Sequence, residues 1–249
     1  MDGRSSDCDM DNEMYQYFFA TEFVDMFPQT NGDILLQSTL VRICSRKLTS
    51  IRTYRARLCE DKLLELGADS FWYWDVGAFV FAGDETTVSV SGKQYVTSDR
   101  VIDNNDILTI DLSPQIGNIW GDYARTIILE NGKVVDDIEL IQNQEWKSGL
   151  QIEEKLHAEL LTFVTKETTF EELYYYMNEF ILKNGFVNLD FMGNLGHSIV
   201  KVKSDRVYIE KGNKSKLGEV KYFTFEPHIA FPDSKYGYKK ENTYYFETS

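Results

Sequence analysis

Two aspartates, Asp111 and Asp122, form the pattern in this sequence that is best suited to metal binding or catalysis. Both lie in DILTIDLSPQIGNIWGDYART, residues 106–126. A β-rich apolar run leads to Asp111, and after a turn a second predicted strand, beginning near residue 119, carries Asp122. Strands rise about 3.3 Å per residue, so folding one back on the other can bring the two carboxylates side by side. Carboxylates that close need a shared proton, an arginine or a bound cation.

A bound metal is the interpretation that we favour. Arg125 is three residues from Asp122, so on a strand its side chain points to the opposite face. Further ligands are available downstream: GNLGHSI contains His197, YFTFEP contains Glu226, and YYFET contains Glu247. One imidazole with several carboxylates suits divalent Mn, Fe, Co or Zn. The sequence therefore predicts a site for two such ions, with the ligands Asp111, Asp122, His197, Glu226 and Glu247.

The order and local contexts of these five residues resemble those of the pita-bread metallopeptidases, which include methionine aminopeptidase, Xaa-Pro aminopeptidase and prolidase. The contexts are TIDL, GDYART, GH, FTFEP and a late FE. The interval of eleven between Asp111 and Asp122 matches the family, and the interval from His197 to Glu226 looks closer to the Xaa-Pro branch. The resemblance covers roughly residues 45–249. It implies an α+β fold with a pseudo-twofold repeat and a curved antiparallel sheet flanked by helices.

The resemblance also implies a mechanism, the hydrolysis of a peptide or amide-type bond by a hydroxide that bridges two metal ions. Asp111 is then expected to bind one ion, and His197 and Glu226 the other. Asp122 and Glu247 are expected to bridge both ions. Glu226 is also expected to be catalytic as a general acid and base.

The sequence departs from the family at two histidines. One family histidine precedes the first aspartate, and counting back from Asp111 places it near Lys93, which we predict to be a catalytic cation. The other follows the metal-binding histidine, where this chain has Lys201, Lys203, Ser204 and Arg206. These differences leave two other functions open. One is a metalloenzyme acting on a small non-peptide substrate, for instance by C–N cleavage, and the other is a binding module without turnover.

Composition limits the class of protein. The chain has 249 residues with 43% hydrophobic content, enough for a substantial core, and its net charge of −14 disfavours a nucleic-acid partner. Its three cysteines have no paired spacing, so no disulfide framework is expected. It lacks an apolar run of about 18 residues, and its acidic start is unlike a signal peptide. We predict a cytoplasmic protein that binds a small peptide or small molecule and no membrane, with a homodimer as a candidate assembly.

The chain is expected to divide at residue 40. Residues 1–40 would form a short extension with a helix over 13–27, in place of the N-terminal domain of Xaa-Pro relatives, and residues 41–249 the catalytic domain. Helical patterns cover 34–66 and 152–184, each followed by a glycine, and a capping box at Thr169 and Glu172 starts a helix inside the second. The aromatic segment 70–82 is expected to be core strand, with a substrate pocket as the alternative.

The other two histidines are assigned less specific roles. His157 lies in the middle of a predicted helix beside acidic residues, so we expect a surface or packing role. His228 lies two residues after Glu226. It is expected at the surface, with a contact to the site as the alternative.

Overall fold

A computed structural model of the chain describes residues 14–17, 52–117 and 119–246. The α-helices in these ranges are α1 Arg52–Glu65, α2 Gln144–Phe163 and α3 Phe170–Lys183. The strands of the first half are β1 Met14–Tyr17, β2 Ser70–Phe71, β3 Ala78–Ala82, β4 Asp106–Leu112, β5 Pro114–Ile116, β6 Ile119–Trp120, β7 Tyr123–Glu130 and β8 Lys133–Val134. The strands of the second half are β9 Val187–Asn188, β10 Ser198–Ile199, β11 Tyr222–Phe225, β12 His228–Ala230, β13 Tyr238–Lys239 and β14 Asn242–Phe246.

Within the described ranges, these strands form four antiparallel sheets. The two larger sheets have the strand orders β3-β4-β7-β8 and β1-β14-β11-β10. The two smaller sheets have the orders β2-β5-β6 and β13-β12-β9. In the first large sheet β4 is central, and nearly all of its side chains are buried, as its continuous apolar sequence requires. A second core packs α2 and α3 against the sheet that contains β11 and β14.

Helix ends follow the sequence signals closely. Thr169 and Glu172 form the predicted capping box at the start of α3. Gly67 and Gly185 follow α1 and α3 with φ of +104° and +82°, a region that favours glycine. α2 begins at Gln144, eight residues before the predicted start, because the Asn143 side chain accepts hydrogen bonds from the first-turn amides.

The predicted N-terminal helix is wrong for the part that can be compared. Residues 14–17 form β1, which pairs with the edge of β14 from Met14–Phe246 to Tyr17–Thr243. The edge of β14 offers unpaired backbone groups, and MYQY has the aromatic character of a strand. The rest of that helix, residues 34–51 of the helical pattern and the domain boundary at residue 40 lie outside the described residues.

None of the helices that the structure describes is both long and apolar enough to cross a membrane. His157 is buried in α2, as a packing role requires. Its Nδ1 lies 2.5 Å from the Tyr244 hydroxyl and its Nε2 lies 3.0 Å from the Lys240 carbonyl oxygen. These contacts tie α2 to the segment that joins β13 and β14, close to the cavity described below.

The packing of α2 on β13 depends on Gly149. A Cβ atom at this position would overlap the Tyr238 ring. That ring is fully buried, and its hydroxyl donates a hydrogen bond to the Glu145 carbonyl at 3.1 Å.

We expect Gly149→Ala to lower the free energy of unfolding by about 1–3 kcal/mol, because overpacking outweighs the gain of about 0.5–1 kcal/mol that alanine brings to a helix interior. Urea denaturation measures the change. Thr162→Ala, at an exposed position of α2, is the control and should be neutral or stabilising. A midpoint for Gly149→Ala at or above that of the parent protein would contradict the packing argument.

Candidate metal centre and its cavity

The register of β4 and β7 places Asp111 and Asp122 at the same end of one sheet. Asp111 pairs with Ala124, and Asp122 lies two residues before Ala124. Positions two apart on a strand share a face, so the two carboxylates are diagonal neighbours. The interval of eleven arises because the hairpin of β5 and β6 is inserted between the paired strands. The prediction that a strand carries Asp122 is wrong in detail, because Asp122 lies just before the first residue of β7.

A segment far along the chain brings a third carboxylate, Glu241. The Glu241 amide donates to the Ala124 carbonyl at 2.9 Å, which places this residue beside β7. One oxygen from each of Asp111, Asp122 and Glu241 lies within 4.8 Å of the other two. Lys239, two residues before Glu241, shares its face. Its ammonium lies 2.6 Å from Asp111 Oδ2 and 3.0 Å from Glu226 Oε2.

His197 is held beside this cluster by Gly196. Gly196 has a φ of +140°, and a Cβ atom there would overlap the Thr224 carbonyl oxygen. The close approach lets the His197 amide donate to Thr224 Oγ1 at 3.1 Å, while the Thr224 amide donates to the His197 carbonyl at 2.7 Å. His197 Nε2 then lies 3.4 Å from Asp122 Oδ2 and 3.7 Å from Glu226 Oε1.

Burial and mutual repulsion shift the ionisation of this cluster. Burial, with the nearby charge of Asp111, raises the pKa of Asp122 to about 6. Burial also raises the pKa of Asp111, and that of Glu241 lies well above its ordinary value because of burial and the charges of Asp122 and Glu226. Glu226 differs: burial alone would raise its pKa, but Lys239 and His197 outweigh this and hold it below the ordinary value. Glu226 is therefore the member of the cluster that stays ionised most readily.

The chemistry of these donors fits a divalent metal ion. Both carboxylate oxygens of Glu241 are buried without a hydrogen-bond partner among the described residues. A buried acid without donors is costly unless a cation or a proton satisfies it. Three converging carboxylates with one imidazole beside them form an oxygen-rich set that suits Mn, Fe, Co or Zn. Asp111, Asp122 and Glu241 would hold such an ion, with His197 and Glu226 next to it.

The cluster, except for the buried Glu241, lines a cavity of about 430 Å³, within the range of small-molecule sites. Aromatic rings form much of its wall, so the alternative for segment 70–82, a pocket lining, holds for Trp72, Tyr73, Phe79 and Phe81. His228 lies in the wall as well. It is buried, its Nε2 lies 2.7 Å from the Thr86 carbonyl oxygen, and burial lowers its pKa to about 4.

Arg206 contributes a cation to the same wall. Its guanidinium carbon lies 4.8 Å from the centre of the Trp72 ring and 5.7 Å from that of Tyr208. Its Nε donates to the Lys203 carbonyl at 2.9 Å. Trp72 also meets the His197 ring edge-on at 5.9 Å. The Trp72 ring thus lies between the cation and the imidazole of the site.

Four of the predicted site residues come together: Asp111, Asp122, His197 and Glu226. Their roles as ligands stay predictions. Glu247 lies outside the described residues, and the structure brings Glu241 to the cluster instead. Lys93 is exposed, with its ammonium 5.8 Å from the centre of the Trp74 ring, and it is not among the residues that line the cavity. The sequence signal for Glu241 and Lys239 was their alternation in YKKEN, which puts two charges on one face of an otherwise apolar strand region.

The described residues thus form an α+β fold of antiparallel sheets in which carboxylate and histidine side chains converge. The chain matches the sequence profile of metallopeptidase family M24 over residues 47–248. It belongs to this family and has its pita-bread fold. No curated protein sequence matches the chain significantly.

Solved structures with the same fold share few residues with this chain. X-Pro aminopeptidase from Thermotoga maritima has a TM-score of 0.64 at 20% identity, with 92% of this chain and 59% of that chain covered. Prolidase from Thermococcus sibiricus has a TM-score of 0.66 at 19% identity, with 92% and 57% covered. Methionine aminopeptidase from Rickettsia prowazekii has a TM-score of 0.60 at 16% identity, with 92% and 94% covered. The chain therefore spans less than two thirds of the first two proteins.

We expect Glu241→Gln to weaken Mn²⁺ binding by roughly 100-fold or more, because it removes a ligand charge, and changes outside the ligand shell already cost about 10–100-fold. Isothermal titration calorimetry measures this. Glu247→Gln is the matched control and should bind the ion as the parent does. The reverse result, with Glu247→Gln impaired and Glu241→Gln normal, would restore the ligand set predicted from sequence.

The raised pKa of Asp122 predicts a pH-dependent stability in the presence of EDTA. The folded state holds the proton up to about pH 6 and the unfolded state to about 3.8, so this contribution is complete below pH 3.8 and is lost as the pH rises through 6. Asp122→Asn cannot titrate. Relative to the parent, it should gain about 2–3 kcal/mol in free energy of unfolding between pH 4 and 7.

Urea denaturation at several pH values tests this difference. Asp61→Asn, an exposed position in α1, makes the same chemical change away from the cavity and should track the parent. Parallel stability curves for Asp122→Asn and the parent across this range would show that burial of Asp122 does not have the expected cost.

Proposed function

We propose that this chain is a metal-dependent hydrolase that cleaves a peptide or amide bond in a small substrate. The observation that carries the proposal is the meeting of Asp111, Asp122 and Glu241 beside His197 and Glu226. All of these residues except Glu241 line one cavity. Membership of metallopeptidase family M24 agrees with it. A divalent ion bound there would polarise the scissile carbonyl and lower the pKa of a water molecule.

Glu226 is the residue that we propose as general base and acid. Its depressed pKa keeps it ionised at neutral pH, so it can accept a proton from water and return it to the leaving amine. Its position is fixed because its amide donates to the Leu195 carbonyl at 2.9 Å and Pro227 follows it. His197 would face the ion with Nε2, since its Nδ1 lies 3.2 Å from the Ser198 carbonyl oxygen.

The cavity wall limits the substrate. A volume of about 430 Å³ with aromatic sides suits a short peptide or a molecule of similar size. Arg206 would supply positive charge toward an anionic group of the substrate, near the place where the family has its second histidine. Lys93 has no part in this proposal because of its exposed position.

A non-peptide substrate is the second candidate. The chain has three histidines, of which His197 and His228 line the cavity and His157, in α2, packs against β14. The resemblance predicts an imidazole near Lys93, but Lys93 is exposed, and the lining residues nearest to it in sequence are Val88, Ser89 and Val90. This change favours a substrate that differs from those of the peptidases.

Hydrolysis assays of the metal-loaded protein test both candidates. Protein loaded in turn with Mn²⁺, Fe²⁺, Co²⁺ or Zn²⁺ is offered dipeptides, X-Pro peptides, N-terminal methionine peptides and small amides. We expect hydrolysis in at least one class, and Asp122→Asn should reduce kcat/KM by roughly 10³-fold or more, because a cluster of four carboxylates loses a charge that holds the ion. Glu167→Gln, at an exposed position, should leave the rate unchanged.

Two results would count against the proposal. Hydrolysis that survives Asp122→Asn at the parent rate would place the reaction elsewhere. Tight metal binding without turnover of any peptide or amide would favour the non-peptide candidate.

A further inference from the structure

Lys239 occupies the centre of the carboxylate cluster. Its ammonium bonds to one oxygen of Asp111 and one oxygen of Glu226, at 2.6 and 3.0 Å. The backbone fixes it there: the Lys239 amide donates to Thr126 Oγ1 at 2.8 Å, and that hydroxyl lies 3.2 Å from the Lys239 carbonyl oxygen. The strand register, not a surface loop, therefore delivers the ammonium to the cluster.

The ammonium brings a positive charge directly between two carboxylates, one from Asp111 and one from Glu226. Lys240, the next residue, points to the other face of the strand and pairs with Glu154 of α2. The two lysines thus have different environments although they are adjacent in sequence.

The remaining donors fall into two unequal groups. The first contains Asp111, Asp122 and Glu241, which offer one oxygen each within 4.8 Å of one another, and both oxygens of Glu241 have no hydrogen-bond partner in the described part of the chain. The second contains His197 Nε2 and Glu226 Oε1, which are 3.7 Å apart. The other oxygen of Glu226 is bonded to Lys239.

A second divalent ion beside Glu226 would have to share that carboxylate with an ammonium. Like charges a few ångströms apart in a buried site repel strongly, because little water is present to screen them. In the first group, Asp111 is bonded to Lys239, but Asp122 and Glu241 are not, and both oxygens of Glu241 are without a hydrogen-bond partner among the described residues. The second group has a single carboxylate, and that carboxylate is bonded to the ammonium. The first group therefore still offers an ion two carboxylates that are not bonded to Lys239, whereas the second group offers none.

We propose that the ammonium of Lys239 takes the place of one of two divalent ions, so that this chain binds a single ion between Asp111, Asp122 and Glu241. This inference rests on the metal dependence of the proposed function and refines it. The charge that a second ion would bring to Asp111 and Glu226 comes from the chain itself.

Metal stoichiometry tests the inference directly. The folded protein is stripped with a chelator, titrated with Mn²⁺ in a calorimeter and analysed for metal content after gel filtration. We expect one ion per chain. Lys239→Met, which keeps the length of the side chain and removes its charge, should bind two, whereas the control Lys240→Met should bind one.

Electron paramagnetic resonance of the Mn²⁺-loaded proteins gives a second readout. The parent and Lys240→Met should give the spectrum of isolated ions, and Lys239→Met the spectrum of an exchange-coupled pair. If Lys239→Met does not fold, the stoichiometry of the parent decides alone. Two ions per parent chain with affinities within tenfold of each other, or a single ion in folded Lys239→Met, would overturn the inference.

The same data separate this inference from the proposed function. One ion per chain with no hydrolysis of any substrate would support the role of Lys239 and remove the hydrolase. Two ions per chain with hydrolysis would support the hydrolase and remove the role of Lys239. No Mn²⁺ bound by either the parent or Lys239→Met would overturn both.

Discussion

Repulsion among buried carboxylates dictates how the centre of this structure is built. Four acids, Asp111, Asp122, Glu226 and Glu241, meet in one cluster. Taking such charges out of water without compensation is prohibitive, so the folded chain must protonate some of them or bring a cation. Lys239 supplies part of that charge. The unpartnered oxygens of Glu241 show where further positive charge is required.

The antiparallel sheets make this concentration of charge possible. β4 and β7 fix the first two acids at one sheet end, and the segment between β13 and β14 runs beside β7 to add Lys239 and Glu241. Gly196 permits the close approach that places His197 opposite them. Backbone hydrogen bonds to β7 and β11 fix the positions of Glu241 and His197, and donor groups held by strands are placed more accurately than those on a loop.

This chain shares its fold with prolidases and aminopeptidases, but it is at most 20% identical to the three compared above. A shared fold at that identity does not imply that the cavities have the same lining. Here the imidazole of His197 lies among Trp72, Trp120 and Tyr208, and Arg206 stacks against this wall. The fold supplies the carboxylate cluster, and the wall around it decides which molecules can reach it. Function in this chain is therefore better argued from its own site than from its relatives.

The sequence by itself determined the features of this protein that depend on neighbouring residues. The apolar run before Asp111, the capping box at Thr169 and Glu172, and the glycines after α1 and α3 depend on neighbouring residues, so the sequence predicts them. Asp111 and Asp122 lie close together because β4 and β7 are the paired arms of one local hairpin. By contrast, the helix predicted over residues 14–17 gave way to a strand because β14, more than 200 residues away, offers an edge.

Only the tertiary structure decided the composition of the cluster. Glu247 and Glu241 both end or begin strand-like runs, and no local pattern separates them. Glu241 reaches the cluster through a backbone contact with Ala124, more than 100 residues earlier, and Lys239, two residues before Glu241, enters the cavity with it. A sequence can state which residues have the right chemistry, but strand register between distant segments determines which of them meet.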